Sequence, residues 1–149
     1  MKEISLCLLF TFCFTMVAIC QVEMPVSWTV DAEVSDDFII ITYTADIDKN
    51  WFVYSQDMEA GIGPIPTSIN LETEDLDTVG DILEIGDKIQ AYDDYFEMDI
   101  TKYEETLSLV QKIKNNPGLK NIKGYIEFMT CDSQRCLPPA NIDFDLEVN

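Results

Sequence analysis

Apolar and polar side chains alternate along this chain in short runs separated by turn residues, the signature of half-buried strands. "VSWTVDAEV" sets Val26, Trp28, Val30, Ala32 and Val34 on one face. "DFIIITYTADI" is dense in β-branched and aromatic residues, and "NWFVYS" follows the turn-like "DIDKN". "GIGPIPTSINLE" reads as a Gly/Pro-interrupted loop entering a short strand, and Pro64 and Pro66 argue against a central strand there. Residues 72–94, rich in acids and interrupted by Gly80 and Gly86, predict short strands joined by loops, with one helical turn at most. "TLSLVQKI" is a further strand, "NNPG" a turn, and "LKNIKGYIEFMT" another strand. The last segment, "ANIDFDLEV", alternates most regularly. Ile142, Phe144, Leu146 and Val148 share one face, while Asn141, Asp143, Asp145 and Glu147 share the wet one. Many short strands without a long amphipathic helix predict an all-β fold, an antiparallel β-sandwich of immunoglobulin-like outline.

The 149 residues fit one domain with one modest core. Charge changes the functional picture. Nine Lys+Arg against 28 Asp+Glu give a formal net charge of -19, which repels phosphate backbones and anionic lipid and argues against nucleic-acid partners. There is no histidine, so Ser-His-Asp and Cys-His catalysis and imidazole metal sites drop out.

The N-terminus begins with Lys2 before an apolar run from Ile4 to Ile19, ending in "AIC" with small residues at Ala18 and Cys20. This predicts a secretory signal peptide over residues 1–20, cleaved after Cys20, and a mature domain over 21–149. A retained anchor would need a longer run, about 20 residues. Lipidation of Cys20 would call for a small residue where Ile19 stands. The expected location is the periplasm or another exported compartment.

Cleavage would remove Cys7, Cys13 and Cys20 and leave Cys131 and Cys136. Two neighbouring cysteines in an exported protein are most simply paired. They sit in "EFMTCDSQRCLPP", between two strand candidates, at the end of an expected hairpin. Three chemistries fit: a structural staple, a metal clip and a redox centre. A staple across so short a loop stabilises little. A metal clip would be a soft ion such as copper(I) on two thiolates with Met129, since no further Cys or His completes a zinc site. A redox pair profits from Pro138 and Pro139, which stiffen the loop exit. Arg135 beside Cys136 favours a thiolate there, whereas Asp132 opposes one at Cys131.

A resemblance adds to this reading. "GYIEFMTCDSQRCLPPANIDFDLEV" resembles the end of the N-terminal periplasmic domain of the DsbD thiol–disulfide transporter family, where a hairpin carries a close Cys pair followed by an aromatic or Leu and then Pro-Pro. "ADIDKNWFVYSQ" is similar to that family's Trp-x-x-Tyr-Ser strand through Trp51, Tyr54 and Ser55. "GPIPTSINLE" and "YDDYFEMDITKYEETLSLVQKI" are similar, in order, to its Pro-containing segment and to its cap loop with the following strand.

The resemblance spans roughly Val26 to Val148. It implies an immunoglobulin-like electron-relay module that needs no cofactor or resident metal. A membrane electron donor and thioredoxin-like proteins would be its partners. It implies that Cys136 attacks, that Cys131 resolves, and that Phe96 shields the pair in a cap loop with Tyr95 and Asp94. Phe96 is otherwise read as a core residue. Asp93 and Asp94 are the acids nearest that loop. The family's membrane helices and thioredoxin-like domain do not follow in this sequence, so the expectation is a separate subunit or another use.

Overall fold

The computed structural model describes residues 23–148 except 59, 60, 62 and 117, and the predicted signal segment lies outside them. Among the described residues there are eleven strands, all pairings antiparallel, and no helix. The first sheet joins β1 (Val26–Val34), β2 (Phe38–Ile47), β8 (Thr106–Lys114) and β5 (Leu83–Ile85), in that order. The second joins β10 (Thr130–Cys131), β3 (Phe52–Tyr54), β7 (Met98–Tyr103) and β6 (Lys88–Asp93). The third joins β11 (Ala140–Glu147), β9 (Asn121–Phe128) and β4 (Ser68–Leu71).

The predicted alternation locates the core. β2 buries Ile39, Ile41, Tyr43 and Ala45, and β8, opposite it, buries Leu107, Leu109 and Ile113. β9 supplies Ile122, Ile126 and Phe128 from the third sheet. Aromatic pairs span the two layers: Tyr43 meets Phe144 edge-on at 5.4 Å, and Trp28 meets Phe128 at 5.6 Å. This face-to-face packing makes the immunoglobulin-like sandwich. Tyr43 donates from its buried hydroxyl to Gln111 Oε1 at 3.0 Å, which satisfies the polar pair inside the layer.

Gly124 shows how closely the third sheet is built. A Cβ there would come within 2.3 Å of Asn70 O and 2.8 Å of the Phe144 ring, so only glycine admits both neighbours. β11 is an edge strand of the third sheet, and its outward row Asn141, Asp143, Asp145 and Glu147 is exposed, as its alternation predicts. β1 behaves likewise, although its buried face ends at Val34, which is exposed. Pro64 and Pro66 precede β4, the other edge of the third sheet, and residues 72–94 yield the short strands β5 and β6.

β3 is the junction that matters for the site. It is buried on both faces. Val53 points into the main core, while Phe52 and Tyr54 belong to a separate small cluster with Ile100 and Cys131. The two-residue period of a strand thus divides three residues between two cores.

Candidate functional site

The segment between β9 and β11 is more than a hairpin end. The chain leaves the third sheet after Phe128 and adds β10 to the edge of the second, with Thr130 opposite Val53 and Cys131 opposite Phe52. Thr130 Oγ1 donates to Phe52 O at 2.9 Å. Cys131 is thereby built into a sheet and is only 1% exposed.

The chain then turns back on itself. Asp132 N donates to Arg135 O at 2.9 Å, and Asp132 Oδ1 accepts from the amides of Gln134 at 2.7 Å and Arg135 at 2.8 Å. Leu137 N donates to Thr130 O at 2.9 Å. This side-chain-braced turn returns Cys136 to face Cys131, and the two form a disulfide of 2.03 Å. The two backbone amides, chiefly, hold the Asp132 carboxyl below its ordinary range, and Arg135 adds to the effect.

The pair is asymmetric in access. Cys131 is buried, whereas Cys136 is half-buried, between the exposed turn residues and exposed Pro138 and Pro139. Arg135 does not act on Cys136 alone. Its guanidinium bonds Glu23, lies 3.8 Å from Asp132 and sits over the Trp51 ring at 5.6 Å, so two carboxylates offset its charge.

The buried sulfur has its own partner. Tyr54 donates its hydroxyl to Cys131 Sγ at 3.1 Å. Burial first, then the negative charge of Asp93, push the Tyr54 hydroxyl well above its ordinary range. It therefore stays a hydrogen donor at any physiological pH. Sequence similarity pointed to Tyr54 only as a motif position. Nothing in the local sequence says that it meets a sulfur 77 residues away.

The β6–β7 hairpin brings the expected cap loop. Asp93 pairs with Met98, leaving residues 94–97 at the tip. Asp93 Oδ1 accepts from the amides of Tyr95 at 2.8 Å and Phe96 at 3.0 Å, and Glu97 takes a left-handed φ of 55° to close the turn. Phe96 is half-buried against the cluster that holds Cys131, edge-on to Tyr54 at 6.3 Å. Tyr95 is 83% exposed and leans on Phe96 at 5.0 Å. Asp94 is exposed at the tip, so Asp93 is the acid that shapes the loop.

Cys131, Cys136, Phe96, Tyr95, Asp94 and Lys102 line one solvent-open depression of about 1030 Å³. Lys102 lies 4.0 Å above the Phe52 ring and pairs with Glu104 at 2.9 Å. Met58, Met98 and Met129 complete the apolar surround. No group of three or more His, Cys, Asp or Glu able to hold a metal ion gathers among the described residues. The arrangement suits thiol–disulfide exchange: one half-buried cysteine, one buried cysteine whose sulfur has a hydrogen donor, and an aromatic beside them.

Comparison with known proteins points the same way. No curated protein matches the chain in sequence. Several solved structures share its fold, three of them as follows. The reduced N-terminal domain of Neisseria meningitidis DsbD is 16% identical with a TM-score of 0.55, covering 82% of this chain and 86% of that one. The N-terminal periplasmic domain of ScsB from Proteus mirabilis is 17% identical with a TM-score of 0.58, covering 85% of this chain and 49% of that one. The third is a complex between the N-terminal domains of DsbD and PilB from N. meningitidis. It is 17% identical with a TM-score of 0.52, covering 82% and 84%. The sequence profile described as thiol:disulfide interchange protein DsbD, N-terminal, matches residues 21–147, nearly everything after the predicted signal, and so this chain belongs to the DsbD N-terminal domain family.

Proposed function

We propose that the protein is an exported electron relay that reduces partner disulfides through Cys131 and Cys136. The observation that carries this reading is the unequal burial of the two cysteines, Cys131 buried with its sulfur hydrogen-bonded and Cys136 half-buried beside it. In the reduced state the Cys136 thiolate attacks one sulfur of a partner disulfide and expels the other as a thiolate. The Cys131 thiolate then attacks Cys136 Sγ, closing the intramolecular disulfide and releasing the partner's second thiolate. Two electrons pass to the partner, and the expelled thiolates take protons from solvent.

Recharging reverses these steps. A donor thiolate attacks Cys136, and Cys131 leaves as a thiolate that Tyr54 is placed to hydrogen-bond. Phe96 shields the pair and must move aside for a docking partner, while Pro138 and Pro139 keep the loop exit fixed through the cycle. The partners in this reading are thioredoxin-like proteins and a membrane electron donor. The DsbD N-terminal domain of N. meningitidis, which forms a complex with the PilB N-terminal domain, supports a protein partner. The location is periplasmic, with the signal removed after Cys20, and the net charge of -19 favours basic partner surfaces and salt-sensitive encounter.

The test is the reduction potential of the pair, measured against glutathione, together with trapping by Cys131→Ser in periplasmic extract. A relay equilibrates near about -200 mV and leaves a mixed disulfide on Cys136. A potential below about -300 mV with no trapped partner would mark a fixed structural disulfide and overturn the proposal.

A further inference from the structure

Next to the end of β3 lies a carboxylate with an unusual number of partners. Glu84 sits on β5, the last strand of the first sheet, yet its side chain is only 6% exposed. Its Oε2 accepts from Ser55 Oγ at 2.8 Å and from Tyr103 Oη at 2.8 Å, and its Oε1 accepts from Gln56 N at 2.7 Å. Lys88 Nζ stands 4.0 Å away. Gln56 reinforces the contact in return, donating from Nε2 to Ile82 O at 2.8 Å.

These bonds tie the edge of the first sheet to the second across the chain just after Tyr54. A buried carboxylate is costly unless its oxygens are occupied, and here three donors occupy them. Removing it leaves Ser55, Gln56 and Tyr103 without their acceptor, and the end of β3 is then left to its remaining bonds, Ser55 N to Thr101 O at 2.9 Å and Thr67 Oγ1 to Tyr54 O at 2.6 Å among them. Tyr54 is the residue immediately before Ser55, and its hydroxyl reaches Cys131 Sγ.

We propose that Glu84 is a positioning residue for the disulfide: by clamping Ser55 and Gln56 it holds β3 where Tyr54 meets the Cys131 sulfur. Glu84 touches neither sulfur and acts through Tyr54. When a thiolate attacks Cys136 Sγ, the sulfur–sulfur bond breaks and Cys131 leaves carrying the electron pair. A hydroxyl already aimed at that sulfur bonds the departing thiolate more strongly than the neutral disulfide. Glu84 therefore speeds the departure without taking part in it. This deepens the relay reading and rests on it for its biological meaning, although its test does not need a biological partner.

The experiment measures the rate at which dithiothreitol reduces the disulfide in the wild type, Glu84→Ala, Tyr54→Phe, the double variant and Glu84→Gln. Tyr54→Phe is expected to slow reduction about three- to tenfold, and Glu84→Ala to slow it comparably. The double variant should be no slower than Tyr54→Phe alone, because the two act through one hydrogen bond. Glu84→Gln should restore most of the rate, since its amide can still accept from Gln56 N while donating to Ser55 Oγ.

An unchanged rate in Glu84→Ala, or slowing that multiplies in the double variant, would overturn the proposal. If Glu84→Ala does not fold, Ser55→Ala serves instead, with a smaller slowing that must also vanish in the Tyr54→Phe background. Failure of the relay reading would appear separately, as a strongly reducing potential and no trapped partner, with this coupling intact.

Discussion

The described residues form two apolar clusters of opposite character, and β3 stands between them. The main one lies between the first and third sheets and is built largely from aliphatic residues such as Ile41, Leu109 and Ile126, none of them exposed. The other has four buried members, Phe52, Tyr54, Ile100 and Cys131, skirted by half-buried Phe96, Cys136 and methionines. Close-packed aliphatics stabilise in proportion to the area they remove from water. A small aromatic and sulfur cluster stabilises less and leaves Cys136 half-buried at its margin. In the proposed relay, stability and reactivity are thus housed apart, and a change to one need not disturb the other.

Substitutions can break or sharpen this division. The largest effect should come from Cys136→Ser, which abolishes exchange with any thiol while the protein still unfolds cooperatively, as circular dichroism and thiol assays together would show. A lost cooperative transition would mean that the sulfur cluster carries the fold. Next, Ile41→Ala should cost about 2–5 kcal/mol in denaturant unfolding while leaving the exchange rate of the folded protein unchanged. A slower rate at full folding would join the two regions.

Phe96→Ala should cost less stability than Ile41→Ala and accelerate alkylation of the reduced pair by iodoacetamide severalfold. An unchanged alkylation rate would make Phe96 part of the packing alone. The smallest effect concerns acid. The Asp132 carboxyl is held below its unfolded value of about 3.9, so its support of the turn is present above that value. That support is lost as pH falls through the lower folded value. The Gln134 and Arg135 amide resonances should move in that acid range before global unfolding, and they should stay fixed if the turn does not depend on the carboxylate.

The division also explains what the sequence could disclose. The alternation in "ANIDFDLEV" and the β-branched run of β2 marked the sandwich, because a strand's period reports which face is buried. The cysteine pair was legible from count and spacing. The contact between Tyr54 and Cys131 was not, because it depends on β10 joining β3 across 77 residues of chain. Glu84 was hidden for another reason. Among 28 acidic residues, nothing local distinguishes the one that three donors surround. Phe96 needed the family resemblance to be linked with the cysteines, since from the residues alone it reads as a core residue.

The exposed acids of β11 bear on the company this protein keeps. An edge strand offers its unpaired backbone groups to any strand of another chain. β11 borders the third sheet and presents Asp143 and Glu147 along its wet face, while Lys123 engages Asp145 at 2.9 Å. Like charges brought side by side disfavour stacking of a second copy there, and acidic client segments are turned away. The edge is thus guarded against being extended by a further strand.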